Sequence, residues 1–107
     1  MPAELLRRAR LRERAGRLPA EAAWAQLAAA PSASCQERLE AAVALVRWRS
    51  ASEAPVAFRR IAGCDLPVDV VEELKERVTQ LEQRRVRART AAREFWEIVA
   101  QRSSAKR

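Results

Sequence analysis

The chain is short of the residues on which most catalytic and metal sites depend. Its 107 residues include no histidine, two cysteines and two glycines. Histidine is the usual general acid or base and the commonest metal ligand, and a phosphate-binding loop needs several glycines close together. The sequence therefore predicts no enzyme activity, no cofactor and no metal site.

Cys35 and Cys64 are the only cysteines. A lone pair without a recognisable secretory signal is more typical of a reducing compartment than of a disulfide framework. We therefore expect reduced thiols and a cytoplasmic protein.

The longest apolar run, Ala41 to Val46, is far shorter than the roughly 20 residues of a membrane span, so we expect no span.

Tyrosine is absent and phenylalanine occurs twice, whereas helix-forming residues are abundant. With 49% hydrophobic and 33% charged residues, the chain is expected to fold. The composition favours an all-α protein of about five helices. We expect one helical domain over residues 1–102, with residues 1–17 able to form a basic arm, and a flexible basic tail at 103–107.

The most distinctive segment runs from Pro67 to about Arg102 and predicts one long helix. Apolar and small residues, with one arginine among them, recur there at alternating spacings of three and four, which is typical of a helix packed lengthwise on other helices. The recurring positions are Val71, Leu74, Val78, Leu81, Arg85, Ala88, Ala92, Phe95 and Val99. Phe95 is expected to be a core residue, and Trp96 beside it can be exposed.

Charge changes sign halfway along this helix. Acidic residues predominate up to Glu82, and arginines predominate from Arg84 to Arg93. Arginines four residues apart destabilise a helix by a few tenths of a kcal/mol per pair, so we expect an acidic counterpart in this chain, a second copy or a partner. The predicted partner-binding residues are Val78, Leu81, Arg85, Ala88, Ala92 and Trp96.

The third helix along the chain, predicted over residues 35–49, is expected to be the buried centre of the bundle. Ser34 and Glu37 match a capping box at its start, and apolar residues follow on most of its sides. We also expect a helix from Pro2 to Ala15, a helix from Pro19 to Ala30, and a short helix that is capped by Ser50 or Ser52 and ends at Ala62. Trp24 is expected to be a core residue.

Two weak resemblances accompany these elements. Apolar positions recur at intervals of 34 and 35 residues, which resembles the tetratricopeptide period without its Gly, Tyr and Pro landmarks. The segment RRVRARTAAREFW resembles the basic helix with an aromatic end in small helical subunits of RNA-guided effector complexes. That resemblance covers about thirteen residues and implies contact with a nucleic-acid strand.

The net charge of +7 also favours an acidic partner. Arginines at helical spacing could follow a phosphate backbone. The predicted nucleic-acid-binding residues are Arg7, Arg10, Arg14, Arg17, Arg84, Arg87, Arg89 and Arg93. Arginine and alanine enrichment from a GC-rich genome is a competing explanation of the same charge.

The first hypothesis is thus a non-enzymatic interaction or assembly protein, meaning an adaptor, a chaperone or a subunit of a larger complex. It would act through its long C-terminal helix on a protein partner or a second copy. The alternative is a nucleic-acid-binding helical subunit that uses arginine-rich helix faces.

Overall fold

The computed structural model describes the backbone of residues 2–105 and the side chains of residues 4–102, and this part of the chain contains helices and no strand. The elements are α1 (Pro2–Arg12), a 3-10 turn (Glu13–Ala15), α2 (Arg17–Ala29), α3 (Cys35–Arg47), α4 (Ala54–Arg60) and α5 (Val68–Ala105). The predicted all-α bundle with a long C-terminal helix is confirmed. Within the described residues, none of the helices is both long and apolar enough to cross a membrane.

The core lies between α2 and α3. Trp24, Leu27 and Leu45 are its largest fully buried side chains. Most of the other core residues are alanines, which allow helix axes to approach closely. α3 packs against α2, α4 and α5, so the predicted central position of this helix is confirmed.

α1 belongs to the same core. Ala9 is completely buried, and Leu5 and Leu6 pack against the core cluster. α1 packs along α2, so this helix forms part of the bundle.

Both ends of α3 have recognisable caps. The Ser34 hydroxyl accepts a hydrogen bond from the Glu37 amide at 3.1 Å, and the Glu37 carboxylate accepts one from the Ser34 amide at 2.9 Å, which confirms the capping box. At the other end, the amides of Arg49 and Ser50 donate to the carbonyls of Val46 and Leu45. This is a Schellman motif, and it places Arg49 in the left-handed region at φ 56°.

The predicted first helix ends earlier than Ala15. α1 stops at Arg12, a 3-10 turn follows, and Gly16 at φ 116° redirects the chain into α2. Glycine adopts this conformation without the steric penalty that a side chain would bring. The predicted helical spacing of the arginines from Arg7 to Arg17 is therefore interrupted, because Arg17 belongs to a different helix from Arg7.

Glu13, in the 3-10 turn, joins three elements. Its Oε1 accepts hydrogen bonds from the indole N–H groups of Trp24 at 2.9 Å and Trp48 at 3.2 Å, and it forms an ion pair with Arg47. Burial raises the pKa of Glu13, but the hydrogen bonds from Trp48, Trp24 and Arg47 together lower it below its ordinary value of 4.5. The ionised carboxylate therefore holds the 3-10 turn against α2 and α3.

Replacing Glu13 by Gln should lower the free energy of unfolding at pH 7 by about 1–2 kcal/mol, because the charge-assisted bonds are lost. A lowered folded-state pKa stabilises the protein above the unfolded pKa, and this stabilisation is lost as pH falls through the folded value. The difference between wild type and E13Q should therefore shrink on acidification below 4.5. Urea unfolding at neutral and acidic pH measures it, with E4Q as the exposed control. An equal difference at both pH values would contradict this account.

The two cysteines form a disulfide, so the prediction of reduced thiols is wrong for this structure. Cys35 and Cys64 are 29 residues apart in sequence, and their Cα atoms lie 5.7 Å apart. Packing of α4 and the start of α5 against α3 brings them together. The disulfide ties the first turn of α3 to the turn that precedes α5.

Reducing this disulfide should destabilise the fold by about 3 kcal/mol, because a closed loop of this length restricts the unfolded chain. Thermal unfolding with and without a reductant measures the effect, with a thiol assay to confirm reduction. The C35S/C64S variant should match the reduced protein and ignore the reductant. An unchanged unfolding temperature in fully reduced protein would argue against this role.

α5 is longer than the bundle that covers it. Leu74, Val78 and Leu81 are buried against the core, and α5 packs on α3 and α4. Every residue from Glu82 to Arg102, hereafter the distal half of α5, is exposed. The prediction that Phe95 is a core residue is wrong, because 60% of its surface is exposed. At the predicted tail the helix continues through Ala105, and Lys106 and Arg107 lie outside the described residues.

Candidate functional site

The distal half of α5 continues the face by which the helix packs on the bundle. At 3.6 residues per turn, Ala88 and Ala92 follow Leu74, Val78 and Leu81 on the same side of the helix. Ala88 and Ala92 are exposed, although the preceding three positions are buried. The packing face thus extends beyond the helices that cover it.

An aromatic pair lies farther along this half. The rings of Phe95 and Trp96 meet edge to face with their centroids 5.7 Å apart, and 66% of Trp96 is exposed. Ile98 and Val99 follow and are also exposed. Large apolar side chains grouped in this way on a surface are typical of an interaction site.

A groove lined by arginines lies at the point where the distal half of α5 extends beyond the bundle. Its walls come from the start of α2, the connection between α3 and α4, and α5. We call it the arginine groove. Nine residues line it; we call its arginines the rim, namely Arg17, Arg49, Arg84, Arg85 and Arg89, and its apolar residues the floor, namely Ala51, Leu81, Ala88 and Ala92.

In the part of the chain that the structure describes, no acidic side chain lines this groove. Arg17 forms an ion pair with Glu21 at 2.7 Å and donates to the backbone carbonyl of Arg49 at 3.3 Å. Among the described residues, the other four rim arginines have no acidic oxygen within 4.0 Å. The rim therefore concentrates positive charge that the described part of the chain leaves largely uncompensated.

A second depression adjoins the groove and shares Arg49, Leu81 and Arg84 with it. Glu73 and Glu76 line this depression, but Glu73 pairs with Arg77 at 3.1 Å. The acids of the first part of α5 therefore lie near the rim without forming ion pairs with it.

The structure separates the predicted partner-binding residues into two groups. Val78 and Leu81 are 5% and 7% exposed and lie in the core of this chain, so they provide no surface of their own beyond the edge of Leu81 in the groove. Arg85, Ala88 and Ala92 line the arginine groove. Trp96 is exposed beyond it.

The predicted nucleic-acid-binding arginines are also divided. Arg17, Arg84 and Arg89 meet in the groove, although they are far apart in sequence. Arg10 forms an ion pair with Glu40 at 2.8 Å, away from the groove. The remaining predicted arginines are exposed and do not line it; these are Arg7, Arg14, Arg87 and Arg93.

Sequence reasoning missed Arg49 and Ala51. Both lie in the connection after α3, where no helical periodicity marks a side chain as part of a surface. No signal in the sequence places this connection beside α5. Among the described residues, no group of acidic or cysteine side chains has the arrangement of a metal site.

Comparison with known proteins gives no family for this chain. No protein family, curated protein or solved structure matches it. The functional argument therefore depends on the geometry of the described residues.

Proposed function

We propose that this chain is a non-enzymatic helical assembly protein, an adaptor or a subunit of a larger complex, that binds a protein partner on the distal half of α5. One observation carries this proposal. The packing face of α5 continues beyond Leu81 through Ala88 and Ala92, where every residue is exposed.

The energetics of the distal half support the proposal. Most helical stability in proteins comes from packing of an apolar face, and this half has no packing partner in the described chain. Arg85, Arg89 and Arg93 are spaced four residues apart, so their like charges oppose the helix. A partner that covers the apolar face and brings acidic groups would relieve both effects.

A nucleic-acid-binding subunit is the second candidate. The observation in its favour is that arginines from three separate segments meet at one groove, since such clustering suits a phosphate backbone. It ranks second because the floor of the groove is aliphatic and because Phe95 and Trp96, which could stack on bases, lie outside it.

The sequence alone predicts a cytoplasmic location, but the reduced thiols on which that prediction was based are absent from the described residues. The Cys35–Cys64 disulfide weighs against it, because disulfides persist in oxidising compartments and are uncommon in the reducing cytosol. The redox state of these cysteines in cells therefore bears directly on where the protein acts.

Site-specific photocrosslinking in cells that naturally make the protein tests the proposed function. A photoreactive residue replaces Ala92 in one variant and Thr90 in the control; the two positions lie about 200° apart around the helix axis. We expect a discrete adduct from Ala92 that is sensitive to protease and resistant to nuclease, and little from Thr90. A nuclease-sensitive adduct would favour the second candidate. Equal adducts from both positions, or none, would contradict a docking face on α5.

A further inference from the structure

Building on the proposed function, we propose that the partner segment in the arginine groove is an acidic amphipathic α-helix of another protein. The structure brings four apolar residues and five arginines together around one shallow depression. An amphipathic helix with an apolar stripe between acidic flanks complements both features.

The floor selects an apolar partner surface. Ala51, Ala88 and Ala92 are small, so a helix could approach α5 at the 8–10 Å typical of packed helices. The partner helix would cover the part of the α5 face that begins where the contact with α3 and α4 ends. It would thus extend the packing of the bundle by one element.

The rim selects negative charge on both sides of that stripe. Viewed down the α5 axis, the side chains of Ala88 and Ala92 point in similar directions. Arg84 lies on one side of their mean direction, and Arg85 and Arg89 lie on the other side. Flanking positions of paired helices are where salt bridges choose partners. Glutamates or aspartates that flank the apolar stripe of the partner would therefore meet arginine on either side.

A second copy of this chain does not supply such a helix. Glu94 and Glu97 lie about 200° and about 140° around the axis from Ala92, so paired distal halves would bring arginines together. In the first part of α5, Glu73 and Glu82 lie about 100° and about 80° from Leu74 on opposite sides of the helix, but the apolar stripe between them is buried in the core of its own chain. These acids flank no free apolar stripe, and two copies that each carry +7 also repel.

Arg49 gives independent support for a role of the rim. It occupies the left-handed position of the Schellman motif that ends α3, at φ 56°. Glycine is the usual residue there, because a side chain raises the conformational energy. A long cationic side chain at this position does not help α3 to end, but it does complete the rim of the groove.

Fluorescence anisotropy with a designed peptide tests the inference. The probe is a helical peptide of about 20 residues with leucine and alanine in one stripe and glutamate on both flanks. A matched peptide has lysine in place of glutamate, and a single-stranded oligonucleotide is the third probe. The protein variants are R85E/R89E and the charge-matched control R59E/R60E, whose arginines are exposed on α4 outside the groove.

We expect the acidic peptide to bind at least about tenfold more tightly than the lysine peptide, and R85E/R89E to remove that preference or reverse it. R59E/R60E should bind like the wild type. Equal binding of the two peptides, or equal weakening by the control variant, would overturn the inference. An oligonucleotide that binds more tightly and displaces the peptide would also overturn it, in favour of a phosphate ligand.

Arg49→Gly separates a binding role from a structural one. This variant should unfold at the same or a higher temperature, because glycine suits the left-handed position, yet it should bind the acidic peptide about threefold more weakly. Unchanged peptide binding by folded R49G would remove Arg49 from the rim.

The two proposals fail differently. If the acidic peptide does not bind but Ala92 still gives a protein adduct in cells, the inferred partner chemistry is wrong and the docking face remains. If light scattering shows a dimer and the Ala92 adduct is the chain itself, a second copy occupies the groove and the inference falls. If neither peptide nor adduct is found, the proposed function falls with it.

Discussion

The structure depends on a mismatch in length between α5 and the bundle on which it packs. Leu74, Val78 and Leu81 bury one face of α5 against the core, and that burial ends at Leu81. The same face continues through Ala88 and Ala92, where it is exposed. An apolar helix face is most stable when other residues cover it. The first part of α5 therefore stabilises the fold, and its distal half leaves the same face exposed.

Two different local ties hold together the bundle on which α5 packs. The Cys35–Cys64 disulfide fixes the turn before α5 to the first turn of α3. Glu13 joins Trp24, Trp48 and Arg47 near the other end of α3. With a core made mostly of alanine, such local ties position the elements more firmly than aliphatic burial alone would. The start of α2, the Arg49 turn and the middle of α5 together form the walls of the arginine groove.

Sequence patterns predicted the elements that depend on local periodicity. The long helix, the central α3 and the Ser34–Glu37 cap follow from residues three or four positions apart, so they could be read along the chain. The disulfide, the 3-10 turn at Glu13 and the left-handed Arg49 could not, because each depends on how the helices pack. The same reason explains Phe95, since periodicity predicts a face of the helix but not where the cover over that face ends. For the groove, the sequence marked Arg17 and Arg84 separately and gave no sign that they meet.

Amide hydrogen exchange on the isolated protein tests the central claim most directly, which is that the distal half of α5 has no cover of its own. Amides near Leu74 to Leu81 should exchange slowly because they open only with the core, whereas those from Ala88 to Arg102 should exchange orders of magnitude faster. This contrast should persist across protein concentrations. Equal protection along the whole of α5 would show that the distal face is already covered, and the account of an open docking helix would be wrong.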